Sequence, residues 1–316
     1  MTDWNALYDR LRSAAPSLEL RRDEPMSRHT TFRVGGPVPV MALPKSEGEA
    51  RAALKAAQEL GITPFFLGNG SNLLVDDRGA DRFVIKLSDE NGQIREVNHR
   101  LETGGGVLLS RLANAALGRG LTGLEFAQGI PGSVGGGVTM NAGAYGGELS
   151  QVVSSVTALE PDGSLRELTA GECGFGYRKS VFFENRMLIL KLCFDLEQGD
   201  PVEIKAKMDD LAARRREKQP LEYPSAGSTF KRPPAMDGQP VYAAALIDQC
   251  GLKGLTVGGA QVSEKHAGFI VNKGGAACKD IVELMARVRE RVFRETGVTL
   301  EPEVRCLGME GEGWNF

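Results

Sequence analysis

Phe126-Ala127-Gln128-Gly129-Ile130-Pro131-Gly132-Ser133-Val134-Gly135-Gly136-Gly137-Val138-Thr139-Met140-Asn141-Ala142-Gly143-Ala144-Tyr145-Gly146-Gly147 is uncharged from end to end. Its length would admit a membrane span, but it holds eight glycines, a proline, Gln128 and Asn141. Irregular backbone of this kind cannot satisfy its polar groups in lipid. The stretch therefore reads as glycine-rich turns, in which missing side chains let successive N–H groups converge on an anion. Leu67-Gly68-Asn69-Gly70-Ser71-Asn72 has the same character, and Asn141–Gly146 forms a third such turn after Gly129–Gly136. One turn alone reads as a plain hairpin. Three in one region favour a dinucleotide, whose pyrophosphate needs many donors in a small space.

Outward from these turns the pattern is mixed. Trp4–Ala15 and Glu47–Leu60 have helical spacing, the second with Ala50, Ala53, Leu54, Ala57 and Leu60 on one stripe and Ser46 placed to cap it. Thr30–Val34 is expected to be a strand ending in a turn at Gly35-Gly36, and Thr63–Leu67 and Leu73–Val75 are expected strands. Short strands are expected from Arg82 to Leu101, then a helix over Val107–Leu117. Asp162-Gly163 reads as the turn of a hairpin between Gln151–Glu160 and Ser164–Leu168, and Met187–Leu196 as a further strand. Gly199-Asp200-Pro201 marks a boundary, with Pro201 opening a charged helix to about Lys218. The last third predicts helices at Val241–Cys250 and Lys279–Thr296 and a strand at Val298–Leu307. The fold class is α+β, divided at 1–80, 81–199 and 200–316.

With 316 residues, 41% hydrophobic, 25% charged and a net charge of −3, the composition is that of a globular protein with no field favouring nucleic acid or an anionic membrane. The start of the chain, with Asp3, Asp9, Arg10 and Arg12, lacks the apolar core of a signal peptide, so a cytoplasmic location is expected. Five widely spaced cysteines contain no CxxC pair and suit a reducing compartment. His29, His99 and His266 form no metal-ligand pattern, and no metal is expected. A GxGxxG spacing at Gly118–Gly123 follows a predicted helix instead of opening one, so it fails as a Rossmann fingerprint.

Three polar constellations remain: Gly176-Tyr177-Arg178-Lys179-Ser180, Ser225–Pro233 and Leu300–Arg305. On a strand, Glu303 and Arg305 would share one face. From composition alone each reads as solvated surface.

Taken together, the segments Thr30–Gly36 (TTFRVGG), Leu67–Val75 (LGNGSNLLV), Glu125–Glu148 (the glycine-rich stretch), Gly176–Phe182 (GYRKSVF), Pro224–Pro233 (PSAGSTFKRP), Ser263–Asn272 (SEKHAGFIVN) and Gly297–Gly308 (GVTLEPEVRCLG) resemble the UDP-N-acetylenolpyruvoylglucosamine reductase (MurB) family. They run in the family's order from about Met26 to Gly308. The resemblance implies two flavin-binding subdomains of the PCMH/vanillyl-alcohol oxidase type and a C-terminal α+β substrate-binding domain. It implies noncovalent FAD, NADPH as hydride donor, and reduction of UDP-N-acetylglucosamine enolpyruvate to UDP-N-acetylmuramate for peptidoglycan synthesis.

In that family NADPH reduces FAD, hydride passes from flavin N5 to C3 of the enolpyruvyl group, and a serine protonates C2. Carried over by motif, Ser228 is the proton donor, and Arg178 and Glu303 are the other catalytic positions. Glu303 is expected to have a raised pKa or a cationic partner, because an unpaired carboxylate opposes the charge that builds on the substrate. Gly68, Asn69, Gly70, Ser71, Asn72, Ile130, Pro131, Gly132, Ser133, Gly136, Asn141 and Gly143 are the candidates for FAD. Tyr177, Arg214, Lys218, Lys231 and Arg305 are the candidates for substrate, with Arg215 and Arg232 among the basic residues nearby. The chain resembles the shorter subtype, because Tyr223–Lys253 leaves little room for the inserted tyrosine loop that covers the UDP in some members. A different oxidase on the same FAD fold would share the first two turns but not PSAGSTFKRP or the terminal motif. A nucleotide-binding module without catalysis would not need Arg178, Ser228 and Glu303.

Overall fold

The computed structural model describes residues 2–89, 92–97, 100–235 and 238–309; His99 lies outside them. The chain forms two compact, interleaved units. The first comprises Met1–Arg22, Pro39–Asn69 and Arg82–Arg215, and the second Asp23–Val38, Gly70–Asp81 and Arg216–Phe316.

The first unit has two cores. In one, the helices Trp4–Ala14 and Glu47–Glu59 pack on a sheet in which Pro37–Leu43, Phe83–Lys86 and Phe65–Leu67 run parallel. Ala50, Ala53, Leu54 and Ala57 are buried, as their spacing requires, and the Ser46 hydroxyl accepts the Glu49 N–H at 3.2 Å. The strands Glu19–Pro25 and Pro37–Leu43 are hidden in the sequence by charge in the first and by Pro37 and Pro39 in the second. In the other core, five antiparallel strands stand in the order Leu165–Thr169, Val153–Leu159, Leu188–Asp195, Arg100–Gly104 and Ile94–Val97. The expected hairpin is present: Leu159 pairs with Leu165, Glu160 N–H donates to Ser164 O at 2.9 Å, and Gly163 turns at φ +81°. The helices Leu109–Leu117 and Pro201–Lys218 bury Leu112, Ala113, Ile204 and Met208 here. Buried Glu125 accepts from Thr122 Oγ1 at 2.5 Å and from Lys207 Nζ at 3.2 Å, tying the long charged helix to the segment before the glycine-rich stretch.

That stretch is no continuous span. It folds as a 3-10 turn at Glu125–Ala127, a six-residue helix at Val134–Thr139 and a small ladder between Gly143–Ala144 and Gly147–Glu148. No helix of the structure is long and apolar enough to cross a membrane among the described residues.

In the second unit, the strands Ser225–Ser228, Phe269–Asn272, Ala260–Val262 and Thr256–Val257 form an antiparallel sheet. The helices Ala243–Gln249 and Cys278–Thr296 bury Ile247, Ile281, Leu284, Met285, Val288 and Val292 in its core. Two expectations fail here. Thr30–Val34 is no strand: Thr30 Oγ1 donates to Val34 O at 2.9 Å and accepts its N–H, and Arg33 sits at φ +57°. A local side-chain turn has outcompeted the ladder. Nor is 298–304 a continuous strand: Pro302 makes a single isolated bridge to Phe230, and the strand proper is Arg305–Leu307, paired in parallel with Leu73–Val75. Pro302 has no N–H to give a ladder, and Glu303 and Arg305 do not share the face of one strand.

Two histidines of this unit are satisfied. His29 is buried 2.9 Å from Glu24, and His266 Nδ1 accepts the Gly268 N–H at 3.2 Å while its ring stands edge-on to Phe269. Burial, aided by the Lys253 charge, lowers the His266 pKa. An unfolded histidine titrates near 6.5, so the folded state resists a proton that the unfolded chain accepts. This contribution to stability is complete above about pH 6.5 and declines as pH falls toward the lower folded value. Urea unfolding midpoints of the wild type should therefore drop more between neutral and mildly acidic pH than those of His266→Asn, whose amide oxygen can still accept from Gly268. Parallel pH profiles for the two proteins would remove His266 as the cause.

Candidate active site

In the first unit, two of the glycine-rich turns meet. Asn69 Nδ2 donates to Pro131 O at 2.7 Å. A Cβ built on Gly68 would lie 2.5 Å from Ser133 Oγ and 3.6 Å from Gly136 Cα, so any side chain there fills the gap between the turns. Ser133 Oγ accepts the Gly136 N–H at 3.3 Å and caps the Val134–Thr139 helix. The turn is fixed from behind. Leu109 N–H donates to Gly132 O at 2.9 Å, Val134 N–H to Val107 O at 2.7 Å and Gly135 N–H to Gly105 O at 2.8 Å. Gly68, Ser133, Gly136 and Thr139 then share a cleft with the apolar Phe66, Leu87, Met187 and Ile189. Among the described residues, the backbone N–H groups of Asn69, Gly132 and Ser133 have no protein acceptor. Open donors beside a glycine-walled, partly apolar cleft suit a phosphate-bearing group joined to a flat ring system.

Asn141 and Gly143 are placed differently. The Asn141 side chain is 2% exposed and fully engaged: Nδ2 donates to Glu148 Oε1 and Gly176 O, both at 3.2 Å, and Oδ1 accepts the Ser150 N–H at 3.0 Å. Gly143 lies in the small ladder opposite Glu148. Asn141 thus holds the carbonyl at the start of the turn that carries Tyr177 and Arg178. Ser180 Oγ, donating to Thr139 O at 2.7 Å, holds the other end. Gly176 and Lys179 exchange backbone hydrogen bonds across the turn. Arg178 sits at φ +56°, strained for a residue with a side chain, and its guanidinium lies 5.1 Å from the centre of the Tyr177 ring. Of the basic residues on the Pro201–Lys218 helix, Arg214 is exposed and paired with Asp210 at 2.8 Å, and Lys218 is exposed. Arg215 turns inward toward Gly129.

In the second unit, Ser228 and Glu303 are brought together by the residue between their segments, Thr229. Thr229 N–H donates to Gly268 O at 2.8 Å and its Oγ1 accepts the Ile270 N–H at 3.1 Å. Its carbonyl accepts the Glu303 N–H at 2.8 Å. Asn72 completes the frame: Nδ2 donates to Glu303 O at 3.0 Å, and Asn72 O accepts the Arg305 N–H at 3.1 Å. Ser228 itself is exposed, after Gly227 at φ +74°. Lys231 is tied through its N–H to Glu301 O and through Nζ to the Glu301 carboxylate at 3.4 Å. Arg305 is half-buried, and burial pushes its guanidinium down to about 10, still protonated at neutral pH. Gly70 packs its Cα against the backbone of His29, and Ser71 follows it in the turn.

Thr229 and the tethering roles of Asn72 and Asn141 were not visible as such in the sequence. All three lie inside the motifs, but their partners stand 35 or more positions away for Asn141–Gly176 and up to 231 for Asn72–Glu303.

Residues 38–169 match the model of an FAD binding domain, and residues 219–307 that of the UDP-N-acetylenolpyruvoylglucosamine reductase C-terminal domain. The chain is 46% identical over 303 residues to the UDP-N-acetylenolpyruvoylglucosamine reductase of Clostridium novyi, covering 96% of this chain and 97% of that one. It is 44% identical over 302 residues to the enzyme of that name from Clostridioides difficile, covering 96% and 98%. Among solved structures, the UDP-N-acetylenolpyruvylglucosamine reductase of Thermus caldophilus superposes with a TM-score of 0.77 at 36% identity, over 92% of this chain and 98% of that one. With both parts of the fold matched in order and nearly full-length relatives on record, this chain belongs to the UDP-N-acetylenolpyruvoylglucosamine reductase family.

Proposed function

We propose that this protein reduces the enolpyruvyl ether of UDP-N-acetylglucosamine enolpyruvate to the lactyl ether of UDP-N-acetylmuramate, with NADPH as the electron source. The observation that carries the reading is the joint placement of Ser228 and Glu303 about Thr229, with Arg178 on a strained, doubly tethered turn. The balance is one hydride from NADPH and one proton: C3 receives the hydride, C2 the proton, and the carbon–carbon double bond becomes single. FAD, when bound, supplies the relay that accepts and delivers the hydride. Gly68, Asn69, Gly132, Ser133 and Gly136 would hold it, the open N–H groups facing its diphosphate and the apolar wall its ring. In this reading 1–80 and 81–199 carry the flavin and 200–316 the nucleotide sugar.

The remaining steps belong to the protein. Ser228 gives its hydroxyl proton to C2; a serine can do so only to a strongly basic carbanionic centre held within hydrogen-bond reach. Arg178 offsets the charge that builds on the substrate carboxylate and the enolate oxygen. A preorganised donor of this kind contributes about 3–4 kcal/mol. Glu303 serves as a neutral acid or beside a cation, since a bare carboxylate would oppose that charge. Tyr177, Lys231 and Arg305 are the candidates for the sugar nucleotide.

Two measurements test the two halves of this reading. Gly68→Ala fills the gap beside Ser133, so purified variant should carry little flavin and bind FAD at least tenfold more weakly, about 1.4 kcal/mol, by fluorescence titration. Full flavin occupancy would show that the cofactor does not pass between these turns. Ser228→Ala should keep anaerobic flavin bleaching by NADPH near the wild-type rate, while return of the oxidised spectrum on adding the enolpyruvyl substrate slows by about 10²–10⁴-fold, the usual range for a lost proton donor. Equal loss in both half-reactions would reduce Ser228 to a structural role.

A further inference from the structure

Glu24 and His29 form a buried acid–imidazole pair outside the proposed chemistry. His29 Nε2 stands 2.9 Å from Glu24 Oε1, and the His29 and Glu24 side chains are 7% and 8% exposed. Replacing such a pair by well-packed apolar residues is often neutral for stability, because desolvation offsets the attraction. What the pair supplies is direction: a charge-assisted bond fixes the ring, and with it the backbone, in one arrangement.

The backbone of His29 passes that arrangement on. Its segment is closed by His29 N–H donating to Met26 O at 2.8 Å and Met26 N–H to Gly36 O at 3.0 Å. The His29 carbonyl lies so close to the Cα of Gly70 that no Cβ fits between them, and Gly70 turns at φ +63°. Thr31 N–H donates to Gly70 O at 3.1 Å. Asn72 holds the other side: Nδ2 donates to Glu303 O at 3.0 Å, and Asn72 O accepts the Arg305 N–H at 3.1 Å. The short piece Gly70–Asn72 is thus gripped by His29 and Thr31 at one end and grips Glu303 and Arg305 at the other, all within the second unit.

We infer that the Glu24–His29 pair is a positioning element for Glu303: it sets the Gly70–Asn72 turn and, through Asn72, the backbone of Glu303. The inference rests on the reading of Glu303 as a catalytic position. Neither Glu24 nor His29 touches substrate in it. Productive geometry at a reacting group tolerates only about 0.5 Å, so a shift too small to unfold the protein still slows the reaction.

The test replaces the pair and asks for rescue. Glu24→Leu/His29→Leu removes the polar link and nearly keeps the volume, whereas the amide N–H of His29→Gln can still donate to Glu24. Both are compared with wild type as holoenzymes. Amide hydrogen exchange, resolved to single residues by mass spectrometry, follows the Arg305 N–H that bonds to Asn72 O. Stopped-flow spectra follow flavin reduction by NADPH and reoxidation by the enolpyruvyl substrate. The double variant should exchange at Arg305 about tenfold faster and reoxidise about tenfold slower, with reduction by NADPH at the wild-type rate. His29→Gln should recover most of both losses. Reoxidation within about twofold of wild type in the double variant overturns the proposal, whatever the exchange. A loss shared equally by the two half-reactions overturns it too, since the pair then acts on the flavin, and loss without recovery in His29→Gln reduces the pair to packing. Should the double variant fail to fold, Glu24→Gln replaces it, leaving the imidazole an uncharged partner: faster Arg305 exchange with slower reoxidation supports the proposal, and wild-type values overturn it. A wild type whose reduced flavin ignores the enolpyruvyl substrate counts against the functional reading itself. The exchange comparison then decides alone, pair-dependent protection at Arg305 supporting the positioning and equal protection overturning it.

Discussion

Between Gly68 and Ser133 there is no room for a methyl group. That single steric condition organises the first unit. Because Gly68 carries no side chain against the Ser133 hydroxyl, Asn69 can reach the Pro131 carbonyl, Ser133 can cap its short helix, and the Gly132 and Ser133 N–H groups stay open toward the cleft. The two cores of the unit set the turns at this distance, one through the parallel strand ending at Leu67 and the other through the bonds from Val107 and Leu109. Close backbone approach is thus a product of packing on both sides, and glycine is what permits it.

A different economy governs the catalytic candidates. Thr229 is fully buried and spends every polar atom on fixing its neighbours, and its carbonyl anchors the backbone of half-buried Glu303 beside exposed Ser228. Asn141 does the same for the turn bearing Arg178, where a non-glycine residue at positive φ persists because both ends are tethered. At this turn a strained residue and a buried side-chain amide occur together, as expected when a site is over-determined by its surroundings.

The fold was largely legible. Alanine and leucine spacing gave the Glu47–Glu59 helix with its Ser46 cap, Asp162-Gly163 gave the hairpin, and Pro201 gave the start of the long charged helix. The misses have local causes. Thr30 closes a side-chain turn where a strand was expected, and Pro302 makes only an isolated bridge to Phe230, so no continuous strand sets Glu303 beside Arg305. Two prolines concealed the Pro37–Leu43 strand.

The sequence by itself determined the class of ligand and the residue types that meet it. Three glycine-rich turns in one region favour close backbone approach to a dinucleotide, and the order of the motifs identifies the family. Tertiary structure alone decided which polar groups are free. Asn141 and Asn72 look from their motifs like donors to a cofactor, but the carbonyls of Gly176 and Glu303, distant in sequence, accept from their amides. Arg214 and Arg215 are equivalent as letters, yet one turns to Asp210 in solvent and the other to Gly129, its Nε without a hydrogen-bond partner among the described residues. Hydrogen-bonding capacity is written in the residue, but whether it remains unspent depends on what packing brings within 3 Å or so of it.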